Sequence, residues 1–194
     1  MDVALAWSGG KDSALALRAL RVDASVRVRA LLTTVTEEFE RVSMHGVRRP
    51  LLERQAAAAG LPLFQMAIPP HCPNEVYEEW LARALQGEGL AAVTTVAFGD
   101  LFLEDVRAYR EERLQAAGKR ALFPLWGMDT GALAREFVAT GFEAVLVCVD
   151  PRRLEPAFAG RAYDAALLAE LPASVDPCGE NGEFHTFEIG RAHV

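Results

Sequence analysis

The chain reads as an α/β protein, a mostly parallel sheet flanked by helices with a smaller α/β lobe towards its C-terminus. Two observations predict this. Apolar strand-like runs alternate with helix-period runs as far as Val149, and right-handed crossovers between such strands make them parallel. Of the 194 residues, 51% are hydrophobic and 24% charged, the balance of a soluble chain with a real core.

Residues 3–7 are apolar throughout, as a strand buried on both faces requires. After the Gly9-Gly10 turn, residues 13–20 place Leu15, Ala16, Ala19 and Leu20 at helical spacing. Residues 26–35, rich in Val, Leu and Thr, form the second strand. The helix over 45–59 carries Pro50 near its first turn and ends at Gly60. A third strand covers 63–68 and a helix 74–85. The fourth strand, 91–98, stops at Gly99-Asp100, and the helix over 103–117 closes at Gly118. A helix over 129–140, capped by Asp129 or Thr130, precedes an apolar strand over 143–149. Residues 35–45 read as a mobile lid. The tail, 176–187, is polar and turn-rich, so it is expected to add little core and to owe its place to a site.

Net charge is −7 and the cationic pairs Arg48-Arg49, Lys119-Arg120 and Arg152-Arg153 are scattered, so no nucleic-acid partner is expected. Cys72, Cys148 and Cys178 lie far apart with no Cys-x-x-Cys spacing, which argues against thiolate metal sites and a disulfide framework. The first apolar run is too short for a signal peptide and nothing is long enough to span a bilayer, so a cytoplasmic location and no membrane partner are expected. Two-fold dimers are the commonest assemblies of soluble chains, and a homodimer is expected here.

The run Ser8-Gly9-Gly10-Lys11-Asp12-Ser13 joins a buried strand to a helix start. Amides at a helix N-terminus and the helix dipole attract anions. Glycines keep side chains away from those amides, Lys11 adds a positive charge, and the hydroxyls of Ser8 and Ser13 can donate. Asp12 beside phosphates makes sense through a divalent cation, and Mg²⁺ prefers such oxygen ligands. Neither Gly-x-x-x-x-Gly-Lys-[Ser/Thr] nor Gly-x-Gly-x-x-Gly is present. The run resembles instead the PP-loop of the N-type ATP pyrophosphatases, in which the loop holds the outer phosphates while the α–β bond breaks.

Four further stretches narrow the resemblance: His45-Gly46-Val47-Arg48, Gly99-Asp100-Leu101 with Glu104-Asp105-Val106-Arg107, Pro124-Leu125-Trp126, and residues 179–186, Gly-Glu-Asn-Gly-Glu-Phe-His-Thr. Together with the loop they are similar to the diphthine–ammonia ligase family. The resemblance implies an adenine nucleotide alpha hydrolase-like (HUP-type) fold. It implies a PP-loop nucleotide-binding domain over 1–122 and a substrate lobe over 123–194, with the active site between them. It further implies ATP and Mg²⁺, with ammonia converting a carboxylate to an amide through an acyl-adenylate. The carboxylate it points to is that of a modified histidine on elongation factor 2. His185 stands where the diphthine-acting members carry an acid.

On this reading Lys11 and Asp12 are catalytic, with Asp12 the metal ligand. Ser8, Gly9, Gly10, Lys11, Asp12 and Ser13 hold the phosphates. Leu31 and Thr33, at the end of a neighbouring strand, are candidates for the adenine, and His45 for the nucleotide edge. Asp100, a catalytic and substrate-binding candidate, stands at the mouth of the fourth strand, where open parallel sheets bind ligands. Glu104 and Arg107 share a helix face, and Arg107 is a candidate for the substrate carboxylate. Glu180, Glu183 and Thr186 are substrate-binding candidates, with Glu183 and His185 also catalytic. The alternatives are a PP-loop tRNA sulfurtransferase, disfavoured by the cysteine spacing and net charge, and a non-catalytic ATP-binding sensor, which would not need the acid-rich tail or Asp12.

Overall fold

Side chains alternate across the first strand. In β1 (Asp2–Ala6) and the residue after it, Val3, Leu5 and Trp7 enter one apolar cluster while Ala4 enters another on the opposite face. A strand covered on both sides needs this all-apolar pattern. The computed structural model describes residues 1–39, 41–42 and 46–190.

The main sheet is built from β1, β2 (Arg27–Thr36), β4 (Leu63–Ile68), β5 (Thr95–Ala97) and β6 (Arg120–Leu122), all paired in parallel in the order β4-β2-β1-β5-β6. A short β3 (Arg41–Val42) pairs antiparallel with the end of β2. Helices α1 (Lys11–Val22) and α2 (Arg49–Ala58) contribute to the first cluster, α3 (Asn74–Gln86) and α4 (Glu104–Ala116) to the second. The chain is α/β with a mostly parallel sheet, as expected. The fourth strand is shorter than expected, because residues 91–92 form a turn before Thr95.

After β6 come α5 (Thr130–Ala139), β7 (Glu143–Val149), α6 (Ala165–Glu170) and β8 (Phe184–Gly190). Asp129 caps α5, its carboxylate accepting from the Ala132 amide at 2.6 Å. β7 and β8 pair antiparallel as a separate two-stranded sheet.

The tail corrects one expectation. Glu183, Phe184, Thr186, Phe187 and Glu188 are all buried, and both phenylalanines join the first cluster. Its buried polar groups bond both within the tail, Glu183 accepting from the Asp176 amide, and far along the chain, Thr186 accepting from the Lys11 amide. A second correction concerns α2, which starts at Arg49, with Pro50 in its first turn. His45 and part of the expected lid lie outside the described residues.

Candidate active site

The strand order reverses between β1 and β5. From β1 the chain runs out through β2 and β4, then returns to β5 and β6 on the other side. Ligands of open parallel sheets bind at the carboxyl ends of the strands at such a switch point. Here the exits are Ser8–Gly10 after β1 and Gly99-Asp100 after β5. Gly99 presses on the first turn of α1. A Cβ at Gly99 would stand 2.9 Å from the carbonyl carbon and oxygen of Asp12 and 3.2 Å from the Ser13 amide.

The turn itself is held from below. Gly9 has φ +77°, and a Cβ there would meet Gln55 Oε1 at 2.6 Å. Its carbonyl accepts from Gln55 Nε2 at 3.0 Å and from the Glu188 amide at 2.8 Å. Gln55 Nε2 also donates to the Glu188 carbonyl at 2.6 Å, and Gln55 Oε1 accepts from Trp7 Nε1 at 3.0 Å. One buried amide thus ties β1, the turn and β8 together.

At the start of α1, the Lys11 amide donates to Thr186 Oγ1 at 3.1 Å, and the Gly10 amide to Ser8 Oγ at 3.3 Å. Ser13 Oγ donates to the Gly10 carbonyl at 2.8 Å. Among the described residues the amides of Asp12 and Ser13 have no protein acceptor. Two free donors at a helix N-terminus, with Gly99 against them, can take an anion.

Lys11 is turned inward, its side chain 2% exposed. Nζ meets Asp12 Oδ1 at 2.9 Å and Oδ2 at 2.8 Å, donates to the Cys178 carbonyl, and lies 5.7 Å from the ring centres of Tyr163 and Phe184. Burial pulls its pKa down, but Asp12, Cys178 and Glu180 outweigh that and hold it above the usual lysine value. The ammonium is a fixed charge in the cleft floor. Burial, helped by Asp12 and Asp176 and opposed by Lys11, pushes the Cys178 thiol up to about 12, so it is no thiolate at neutral pH. Among the described residues no group of three His, Cys, Asp or Glu could hold a metal by itself. Asp12 is the residue that would hold a magnesium ion here, its two oxygens shared with Lys11 Nζ.

A cleft of about 970 Å³ opens above this floor. Ser8, Gly10, Lys11, Asp12, Ser13, Thr33, Asp100, Glu180, His185 and Thr186 all line it. Thr33 is buried, and among the described residues its Oγ1 has no hydrogen-bond partner. Glu180 accepts from the Leu101 amide at 2.7 Å. Burial, with Asp12 and Asp100 nearby, outweighs that bond and Lys11 and pushes its carboxyl up to about 7.

Other expected residues stand elsewhere. Gly9 faces Gln55 rather than the cleft, and Leu31 is buried in the sheet. Glu183 lies beneath the tail turn, 1% exposed, accepting from the Asp176 amide at 3.1 Å and Asn181 Nδ2 at 3.2 Å. Burial raises its pKa but these bonds win, so it stays below the usual carboxylate value. That holds a loop together and is unsuited to accepting protons. Glu104 does not line the cleft. Arg107 pairs with Glu111 at 2.8 Å, over the rings of Phe123 and Trp126. The helix is turned so that Val106, Tyr109, Arg110 and Arg113 face the cleft instead. Arg110 pairs with Asp100, and its guanidinium lies 4.3 Å from the Phe98 ring centre. Spacing along the helix had set Arg110 off the Glu104–Arg107 face, and Val106, Tyr109, Arg113 and Tyr77 had not been assigned to the site. The apolar positions 103, 106 and 114 of α4 carry the phase that would have located its inner face.

A family model described as Diphthamide synthase N-terminal domain matches residues 1–120. No curated protein matches the chain. Among solved structures, one described as a predicted subunit of tRNA methyltransferase from Methanocaldococcus jannaschii is 17% identical, with a TM-score of 0.49, covering 100% of both chains.

Proposed function

Because this chain belongs to the diphthamide synthase family of PP-loop proteins through its residues 1–120, we propose that it is an AMP-forming ligase using ATP and ammonia to turn a carboxylate into an amide. The observation that carries this reading is the pair of free amides, Asp12 and Ser13, at the floor of the cleft beside the buried Lys11. On this reading they take the outer phosphates of ATP and leave the inner phosphorus open to the cleft.

In the first step a carboxylate oxygen bonds to the α-phosphorus and the bond to the β-phosphate oxygen breaks, so pyrophosphate leaves and the acid carries AMP. Such a step needs positioning and charge neutralisation more than covalent help from the protein. Magnesium held by Asp12 would supply further neutralisation of the phosphates. In the second step ammonia bonds to the acyl carbon, AMP leaves with its oxygen, and nitrogen sheds a proton. Glu180, which lines the same cleft and titrates near neutrality, is the acceptor for that proton. Thr33 offers its unpartnered hydroxyl to the nucleoside.

The family name makes the modified histidine of elongation factor 2 the first acid to test. Among the described residues no helix is long and apolar enough to cross a membrane, and a cytoplasmic location is proposed with the function. The deciding experiment incubates the protein with α-labelled ATP, magnesium, ammonium and the candidate acid. AMP with pyrophosphate is expected; ADP would overturn the mechanism, and unchanged ATP would favour a sensor.

A further inference from the structure

We infer that Arg110 is the clamp for the acid substrate's carboxylate, and that the acid's body is apolar or aromatic and lies along the wall made by α3 and α4. The inference rests on the adenylating reading, since it gives that reaction's second reactant its place. The cleft extends beyond the floor at α1, along Tyr77 and Leu81 of α3 and Val106 and Tyr109 of α4. Those four side chains bring apolar and aromatic surface, which suits an organic body; the charged groups on the same wall are Asp105, Arg110 and Arg113, and Arg113 is ion-paired.

α4 carries three arginines, and their surroundings separate them. Arg107 lies outside the cleft on Glu111. Arg113 is taken by Glu78 at 2.8 Å and Glu112 at 2.9 Å, and Glu78 also accepts the Tyr109 hydroxyl at 3.2 Å, joining α3 to α4. Arg110 is held differently. Its Nη2 donates to Asp100 Oδ1 at 3.1 Å and its Nε stands in ion-pair contact with Asp100 Oδ2 at 2.6 Å without hydrogen-bond geometry, so Asp100 occupies that edge of the planar fork. Phe98 lies against the plane. Among the described residues no acceptor meets Nη1. A guanidinium offers five donors in a fixed geometry, and one edge matches one carboxylate. With the Nε edge pinned and the face stacked, the Nη1–Nη2 edge remains for a second carboxylate.

Asp100 is therefore a positioning residue that aims Arg110. It follows Gly99, which presses on the first turn of α1. A carboxylate on the fork thus starts close to the phosphate floor, with its body running away along α3 and α4.

A phosphate oxygen of ATP has similar chemistry, and the test separates the two. Full-length protein is loaded with magnesium and α,β-methylene-ATP, which cannot be cleaved, and titrated by ligand-observed NMR with phenylacetate and phenylacetamide. Wild type is expected to bind the acid about tenfold tighter than the amide, as a charged two-point contact should. Arg110→Gln should erase that preference while α,β-methylene-ATP binds as before. Arg110→Lys, which keeps the charge and loses the fork, should keep only part of it, and it carries the test if Arg110→Gln fails to fold by circular dichroism. Equal binding of acid and amide to wild type, or an undiminished preference in the variant, overturns the proposal. So does loss of nucleotide affinity in Arg110→Gln, which would make the fork a phosphate contact. If wild type takes up no nucleotide, the adenylating reading fails, and the acid–amide comparison without nucleotide still decides Arg110.

Discussion

Thr186 caps the helix that begins at Lys11: its hydroxyl oxygen accepts the Lys11 amide at 3.1 Å across 175 positions of sequence. The first turn of α1 is therefore shaped by the last strand. Thr186→Val should leave that buried amide without an acceptor and cost about 1–3 kcal/mol. Thr186→Ser should restore most of it. Urea unfolding of the three proteins measures the difference, and a Val variant as stable as wild type would remove the cap from the account.

Gly99→Ala should harm both fold and nucleotide binding. The added carbon meets backbone atoms of Asp12 at 2.9 Å, which cannot swing aside as a flexible side chain would. Overpacking of this kind costs about 1–3 kcal/mol, and the methyl also covers the free Ser13 amide. Calorimetry with MgATP should find affinity reduced beyond what any unfolded fraction explains.

Lys11→Met should lower the rate of AMP formation by about a hundredfold or more, the scale of losing one preorganised charge contact. It also leaves Asp12 without its cation, so some loss of stability is expected. Single-turnover measurements on the folded fraction separate the two effects. A variant that forms AMP at the wild-type rate would show that the buried ammonium has no part in the chemistry.

Glu180 predicts the pH dependence. Its carboxyl titrates at about 7 in the folded chain against an ordinary 4.5, so the folded state holds the extra proton between those values. Its contribution to stability should therefore decline as pH rises from about 4.5 to about 7 and be flat above. Glu180→Gln should remove that decline. With total ammonium adjusted to hold free ammonia constant, amide formation should rise with pH through the same region in wild type, as the carboxylate becomes available, and lose that limb in the variant. Paired melting and rate profiles from pH 5 to 8.5 check both signs.

Local signals were legible and long-range ones were not. Residues 3–7 and the turn behind them could be placed because an all-apolar strand, two glycines and a helix start are adjacent in sequence. Asp129 was legible for the same reason, since its capping bond spans three residues. β8 was not, because Thr186 and Glu188 look like solvent-facing residues until their partners, Lys11 and Gly9, are known. Glu183 misled similarly: an acid in a polar turn suggests a reactive group, yet here it satisfies amides of its own loop. α4 was placed correctly and rotated wrongly. Its seven charged residues among thirteen obscure the inner face, and pairing Glu104 with Arg107 by spacing ignored where Val106 and Leu114 must go.

The tie between Gly9 and Glu188 also bears on biogenesis. While the chain emerges from the ribosome, the glycine turn exists long before the strand that closes on it, so early intermediates carry the motif without the pocket. Closing so large a loop has a high entropic cost and comes late. Until β8 docks, the Gly9 carbonyl lacks its Glu188 partner and the turn lacks the strand that shapes it.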